Sequence, residues 1–262
     1  MRRAKDRTAR SGVTLLAALA ALAWLPRGAR AQEFADEAAI VEGEGNAYKT
    51  PQRFAYELTF GPYKPDIDGE FNGVRTPYQD YFGSGQHLLI RTELDYQILH
   101  RFGSLGVGIG LGYFSVTGTA PVASGTGMLS GDKSQLKVVP LSLSAVYRFD
   151  YLLNTRNIPL VPFGKLGLDW AYWQITDGNG NIAEASDGHG RGGTLGWHAA
   201  AGIALMLDFI DPDAARDFDQ DLGVNHTGLT FEYYHSDISG LGQSGRLHVG
   251  DNNWTLGLVL EF

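Results

Sequence analysis

The sequence predicts an all-β fold, an eight-stranded antiparallel transmembrane β-barrel, from three observations. Eight segments alternate apolar and polar residues with the two-residue period of a β-strand. No stretch after residue 31 reaches 18 consecutive apolar residues, so a chain that crosses a membrane there must do so with strands. The composition of 44% hydrophobic residues and 35 glycines, with only three methionines, is typical of strands and turns rather than helices.

Length, cysteine content and charge restrict the class further. The 262 residues suit one β-domain of ordinary size. The absence of cysteine excludes disulfides, thiolate nucleophiles, cysteine metal sites and a lipoprotein anchor. Seven of the 21 Lys and Arg residues precede residue 32, so the formal charge of -8 understates the acidity of the remainder. An acidic chain of this kind is not expected to bind nucleic acid.

Residues 1–31 are predicted to be a signal peptide. Basic residues lie within positions 2–10, an apolar run covers 13–24, and Ala-Arg-Ala at 29–31 fits the small-x-small rule for cleavage after Ala31. A membrane anchor is disfavoured because the run is shorter than the roughly 20 residues needed to span hydrocarbon. General secretion is preferred to twin-arginine export, since no apolar residues closely follow Arg2 and Arg3. Residues 32–52 are then a periplasmic lead-in and 53–262 the barrel.

The alternation is clearest in residues 88–98. Every second side chain there is apolar apart from Thr92, and the intervening side chains include Arg91, Glu93 and Asp95. One face is expected to contact lipid and the other to line the interior. Pro140 and Pro162 are expected near strand ends. The other seven segments are 53–60, 105–113, 139–149, 165–172, 197–209, 229–234 and 254–262.

The connections and aromatic residues predict the topology. Short turns near 100–104 and 150–158, with a short helix over 210–220, are expected on the periplasmic side, and long polar connections outside. This threading sorts the aromatic side chains into two girdles, which a soluble β-sandwich would have no reason to do. The outer girdle is Phe60, Tyr113, Trp170, Tyr172, Trp197, Tyr233 and Trp254, and the inner one is Phe54, Tyr96, Tyr147, Phe149, Phe209 and Phe262.

Nine charged residues of both signs are expected to face the lumen. An eight-stranded interior is just wide enough for side chains to fill, so we expect mutual ion pairing and a largely plugged lumen. A narrow, porin-like channel for small solutes is the alternative. The nine residues are Glu57, Arg91, Glu93, Asp95, Arg148, Lys165, Asp169, Glu232 and Glu261.

The segment 254–262 carries a family resemblance. Trp254, Leu256, Leu258, Leu260 and Phe262 share one face. This resembles the C-terminal strand of bacterial outer-membrane β-barrels, which the barrel assembly machinery reads as an assembly signal. Together the eight segments are similar to small, largely uncharacterised outer-membrane β-barrel proteins. The resemblance implies a bacterial outer-membrane location, with outer-membrane lipid and the assembly machinery as partners, but no activity.

Catalytic candidates are few. His235, Ser236 and Asp237, with Glu232 nearby, resemble only loosely the serine, histidine and acid of outer-membrane lipid A deacylases. Adjacent residues of a strand point to opposite faces, whereas a base must lie about 3 Å from its nucleophile. We therefore expect no catalytic residues. The preferred interpretation is a structural or surface-interaction barrel; a channel is the first alternative and a lipid-modifying enzyme the second.

Metal and phosphate sites are also not expected. Residues 66–70 resemble the start of a calcium loop, but Phe71 replaces its glycine and Pro77 its closing glutamate, so a turn is preferred. The Gly-rich stretches 177–181 and 187–190 do not join a strand to a helix, as phosphate loops do. The sequence thus predicts no cofactor, and the external partner is not identified.

Overall fold

The computed structural model of the chain describes residues 52–72, 74–121, 129–185 and 188–262. The predicted signal peptide, 1–31, and the predicted lead-in up to residue 51 lie outside the described residues.

The protein forms a closed antiparallel β-barrel of eight strands, as the sequence predicts. Each strand pairs with its neighbour along the chain, and the first and last barrel strands pair to complete the ring, so the sheet has no free edge. The barrel strands are β1 Phe54–Tyr63, β2 His87–His100, β3 Ser104–Pro121, β4 Leu129–Arg148, β5 Leu160–Thr176, β8 Arg191–Met206, β9 His226–Asp237 and β10 Asp251–Glu261; a separate hairpin joins β6 Glu184–Ala185 to β7 Gly188–His189.

The pairing register fixes the width of the barrel. Following the directly paired residues from Ala55 around the sheet through β2 to β9 leads to Asp251 on β10. Closure, however, pairs Ala55 with Glu261. The stagger from residue 251 to residue 261 is a shear of ten residues, which tilts the strands and sets an interior that side chains can fill.

The predicted faces are those of the structure. On β2, Leu88, Ile90 and Leu94 are exposed, whereas Glu93 and Asp95 are buried inside the barrel. On β3 the glycines at positions 106, 108, 110 and 112 face inward, opposite an exposed apolar row. An apolar surface thus surrounds the barrel while charged side chains lie buried inside it, which is the inverse of the usual arrangement in a soluble protein.

All eight barrel strands extend beyond their predicted segments at one end or both, and β3 and β4 extend furthest. β4 has 20 residues, about twice the 9–11 that cross hydrocarbon. As a result Pro140 lies in the middle of β4, and its predicted position near a strand end is wrong. Direct pairs with β3 are missing at Val139 and Pro140, where proline cannot donate to the ladder. The outer ends of β3, β4 and β5 therefore project past the apolar belt.

The connections at the two ends differ in kind. At the outer end the connection 64–86 holds a 3-10 helix, Asp68–Phe71, and the helix α1 Pro77–Phe82. At the opposite end lie the turn 101–103 and the helices α2 Tyr151–Arg156 and α3 Pro212–Leu222. The last of these is the helix predicted over 210–220, with its bounds shifted by two residues. Within the described part of the chain, no helix is long and apolar enough to cross a membrane.

Aromatic contacts occur at both borders of the apolar belt. At the inner border the Phe54 ring lies 5.2 Å from that of Tyr96 and 5.9 Å from that of Phe262. At the outer border the Trp254 ring lies 4.8 Å from that of Tyr233 and 4.9 Å from that of Phe231. The Tyr and Trp rings among them, apolar in body and polar at one end, suit the two interfaces of a bilayer.

Inward-facing glycines occupy positions where the barrel interior has no room for a larger side chain. A Cβ atom on Gly167 would meet the backbone carbonyl oxygen of Leu143 and the imidazole of His198. We predict that Gly167→Val lowers the free energy of unfolding by about 1–3 kcal/mol, because overpacking displaces neighbours. Gly85→Val, at an exposed site with open space around its Cβ position, should change it by less than about 0.5 kcal/mol. Urea unfolding in lipid vesicles measures both; equal stabilities would contradict this account of the interior.

Candidate functional site

The centre of the lumen holds a network of buried ion pairs. Arg148, at the end of β4, pairs through Nη2 with Glu57 of β1 and, at 2.6 Å, with Oδ2 of Asp95 on β2. The side chains of all three are 1% exposed. Because the pairs join strands on different sides of the barrel, they cross its interior rather than line its wall.

Lys165 of β5 extends the same network. Its Nζ lies 2.6 Å from Oε2 of Glu57, 2.8 Å from Oε1 of Glu93 and 3.2 Å from Oε2 of Glu232. One ammonium group thus joins carboxylates from β1, β2 and β9. A buried ammonium requires such partners, since removing it from water without them costs several kcal/mol.

A second group of side chains continues from this network toward the outer end. His198 is fully buried; its Nδ1 lies 2.9 Å from Oδ1 of Asp169, and its Nε2 lies 3.1 Å from Oγ of Ser144. The Ser144 hydroxyl also lies 3.4 Å from Oε2 of Glu93, which joins the two groups. The Tyr234 ring stacks on the imidazole at 5.2 Å. A hydrogen-bonded chain therefore runs through the middle of the barrel.

The arrangement of Ser144, His198 and Asp169 has the order of a nucleophile, a base and an orienting acid. The exposed fractions of these residues are 1%, 0% and 2%, so no substrate reaches the hydroxyl in this structure. Sequence reasoning did not single out this trio. The sequence does indicate that all three side chains point inward from neighbouring strands. Only the pairing register of those strands shows that they are close enough to bond.

Most of the nine predicted lumen charges belong to these contacts. Arg91 is half-buried, with its guanidinium 3.5 Å from the Tyr234 ring centroid, and Glu261 accepts a 2.8 Å hydrogen bond from Gln52 Nε2 near the inner end. The other seven are buried within the network or its extension: Glu57, Glu93, Asp95, Arg148, Lys165, Asp169 and Glu232.

Apolar layers lie above and below the charged layer. At the inner end Phe163 lies under the cations, with Lys165 Nζ 5.3 Å and Arg148 Cζ 5.5 Å from its ring centroid. It packs with Val161, Met206 and other residues of the inner end. At the outer end a larger cluster fills the barrel mouth and the space between the projecting strands. That outer cluster is Tyr63, Ile67, Tyr78, Leu89, Phe114, Val116, Leu136, Val138, Ala171, Ile238 and Val249.

Two external connections supply the top of the outer cluster. The hydroxyl of Tyr63 donates to the carbonyl oxygen of Val249, which ties β1 to the connection 238–250. Tyr78 of α1 inserts from the connection 64–86 and is 1% exposed. Burial raises the pKa of Tyr78 to about 12, and the nearby carboxylates of Asp251 and Asp68 add to the effect. Its hydroxyl therefore stays neutral to a higher pH than that of an ordinary tyrosine.

The residues that resembled a catalytic group and a calcium loop make structural hydrogen bonds instead. His235 faces outward, where its Nδ1 contacts Asn252, whereas Ser236 faces inward and bonds the backbone of Asp251. The carboxylate of Asp68 accepts hydrogen bonds from the backbone N–H groups of Tyr78, at 2.7 Å, and Gln79, at 3.2 Å. Among the residues that the structure describes, no group of three or more His, Asp or Glu side chains is placed to hold a metal ion.

An open polar crevice of about 510 Å³ lies at the outer end, beside the connections 64–86 and 238–250. Lys64, Asp66, His248 and Asp251 are among its lining residues. Its mixed charges and open shape select no particular ligand.

The closed barrel, its apolar outer surface and its two aromatic borders define this chain as a small transmembrane β-barrel of the bacterial outer-membrane class. No protein-family model and no curated protein matches the sequence.

Several solved structures are similar to it at low identity. Neisserial surface protein A is 11% identical over 80% of this chain and 97% of its own, with a TM-score of 0.43. The outer membrane protein OprG from Pseudomonas aeruginosa is 14% identical over 82% and 97%, at 0.43. A major outer membrane protein from Thermus thermophilus is 14% identical over 81% and 100%, at 0.42.

Proposed function

We propose that the protein is a bacterial outer-membrane barrel with a structural or surface-interaction role, and that its lumen is closed to solutes. The observation that carries the proposal is the three-layer filling of the lumen, with ion pairs at the centre and apolar clusters at both ends. A conducting pore needs a continuous water path. Side chains from opposite walls contact one another across the path that water would have to take.

The projecting ends of β3, β4 and β5 are the part of the barrel that we assign to surface interaction. They rise past the outer aromatic border and are held together by the outer cluster, which includes Phe114, Leu136 and Val138. A packed platform outside the membrane is a suitable base for contacts with other molecules, because binding residues lie disproportionately on loops that such a scaffold positions.

We expect cysteine labelling to test closure directly, since the chain has no native cysteine. Ser144→Cys places a near-isosteric thiol at the centre of the lumen, and Gln243→Cys places one on an exposed external connection. A membrane-impermeant thiol reagent added to the refolded barrel in vesicles should modify the external thiol and leave the lumen thiol unmodified. In urea both should react, which checks that each cysteine is competent.

Single-channel recording gives the second test. The refolded protein in a planar bilayer should produce no steady conductance steps, on material whose folded state is verified by its altered gel mobility without heating. Reproducible steps together with rapid labelling of Ser144→Cys would overturn closure and favour the narrow channel.

We also propose that the protein is not an enzyme. The separation of His235 from Ser236 across the sheet and the burial of the Ser144 hydroxyl both support this. Incubation of the folded barrel with lipid A should leave the lipid's mass spectrum unchanged. The proposal would be contradicted if the wild type removed an acyl chain and Ser144→Ala or Ser236→Ala did not.

A further inference from the structure

Three polar side chains form a row across the outer surface of β4, β5 and β8. Lys137 pairs directly with Gln174, and Gln174 pairs directly with Arg191. Directly paired residues share a face of the sheet, and this face is the outward one, because Trp173 and Thr194 of the same strands point inward and bond each other. At the usual strand spacing the row spans roughly 10 Å.

The row lies immediately above the outer aromatic border. Trp170 and Tyr172 occupy the two preceding outward positions of β5. The Tyr172 hydroxyl donates to Oε1 of Gln174 at 3.4 Å, so the Gln174 amide N–H groups remain to donate elsewhere. The Trp170 indole lies over the backbone of Gly193, where any side chain would collide with the ring. Three kinds of N–H donor thus meet at the level of the lipid headgroups.

The two cations of the row differ from those inside the barrel. Lys165 and Arg148 each pair with carboxylates, whereas no acidic side chain among the described residues pairs with Lys137 or Arg191. Lys133, which lies four residues before Lys137 on β4, is exposed and adds a third positive charge nearby. What sets these cations apart is their position, since they lie on one sector of the outer surface just above the aromatic border, where an anionic partner at the headgroup level would meet them.

We propose that Lys137, Gln174 and Arg191 bind the phosphate groups of a phosphorylated lipid headgroup in the outer leaflet. A guanidinium matches phosphate with two parallel hydrogen bonds, and a lysine stem can lie along the apolar belt while its ammonium reaches the headgroup level. The site exists only if the barrel spans the outer membrane, so it rests on the function proposed above.

The experiment compares two double variants of equal charge change in nanodiscs of neutral phospholipid. Lys137→Gln/Arg191→Gln removes the cations of the row, and Arg101→Gln/Arg156→Gln removes two exposed cations at the opposite end. Binding of bisphosphorylated lipid A, and of lipid A lacking both phosphates, is titrated by native mass spectrometry. We expect the first variant to bind bisphosphorylated lipid A roughly tenfold or more weakly than wild type, and the control to bind within about twofold.

The dephosphorylated lipid should bind all three proteins alike. Equal weakening in both double variants would mean general attraction by net charge and would overturn the site, as would an unchanged affinity in the row variant. Displacement of the bound lipid by equimolar inorganic phosphate would show that the row binds free phosphate and not a lipid headgroup. Failure of the barrel to insert, detected by unchanged gel mobility without heating, would instead overturn the proposed function itself.

Discussion

Arg148→Met is expected to lower the free energy of unfolding by about 3–5 kcal/mol, the largest effect predicted for a single substitution. The substitution keeps a long side chain but removes the cation that pairs with Glu57 and Asp95. Glu57 keeps Lys165 as a partner at 2.6 Å, whereas Asp95 loses its ion pair. A buried carboxylate left without its cation accounts for a penalty of this size. Urea unfolding in phospholipid vesicles, followed by tryptophan fluorescence, provides the measurement.

Two further variants separate loss of the pair from loss of the side chain. Arg156→Met, on an exposed position of α2, should change the stability by less than about 0.5 kcal/mol. Adding Asp95→Asn to Arg148→Met should recover part of the loss, because the unpaired charge is then absent. Asp95→Asn alone gives the reference. If adding Asp95→Asn to Arg148→Met lowers the free energy of unfolding by as much as Asp95→Asn does in the wild type, the unpaired carboxylate was not the source of the penalty.

Leu94→Arg is expected to cost about 2–4 kcal/mol in the same measurement. Leu94 is 46% exposed and lies near the middle of the outward apolar row of β2, between Leu88 and Ile98. In water, arginine at an exposed strand position would be tolerated; against hydrocarbon, its charge must be desolvated or must distort the bilayer. The decrease in the free energy of unfolding therefore reports whether this surface faces lipid or water, and not how well Leu94 packs.

The same substitution beyond the belt is the control. Thr117 is exposed on the outward face of β3, on the part that projects past the aromatic border. Thr117→Arg should cost at most about 1 kcal/mol, because depth in the membrane decides the penalty. Equal costs at Leu94 and Thr117 in vesicles would contradict a lipid-facing belt.

The sequence accounts only in part for which side chains meet in the lumen. Period-two alternation identifies Glu57, Arg148 and Lys165 as inward, since side-chain direction is a local property of a strand. Which of them pair is a matter of register and shear, and these depend on hydrogen bonds between strands far apart in the chain. Arg148 and Glu57 are 91 residues apart in the chain, and no local pattern joins them.

The lengths of the strands were predicted less well for a related reason. Alternation in β4 is visible from Val139 onward, where lipid requires an apolar outer face. Above the belt the outward face can be polar, and the outward residues Lys137 and Gln135 therefore break the alternation of apolar and polar residues that marks a membrane strand. The strand continues there because its inner face, with Leu136 and Val138, packs in the outer cluster. Tertiary packing extends the strand where the local pattern indicates none.

By itself the sequence determined the number of barrel strands, the faces of the side chains within the predicted segments and the two aromatic borders, because a bilayer imposes a strict local pattern on every strand that crosses it. Only the tertiary structure decided the register, the ion pairs of Arg148 and Lys165, the buried chain through His198 and the row that aligns Lys137 with Arg191. Those features arise where strands meet across the closed sheet, and closure fixes distances that no single segment encodes.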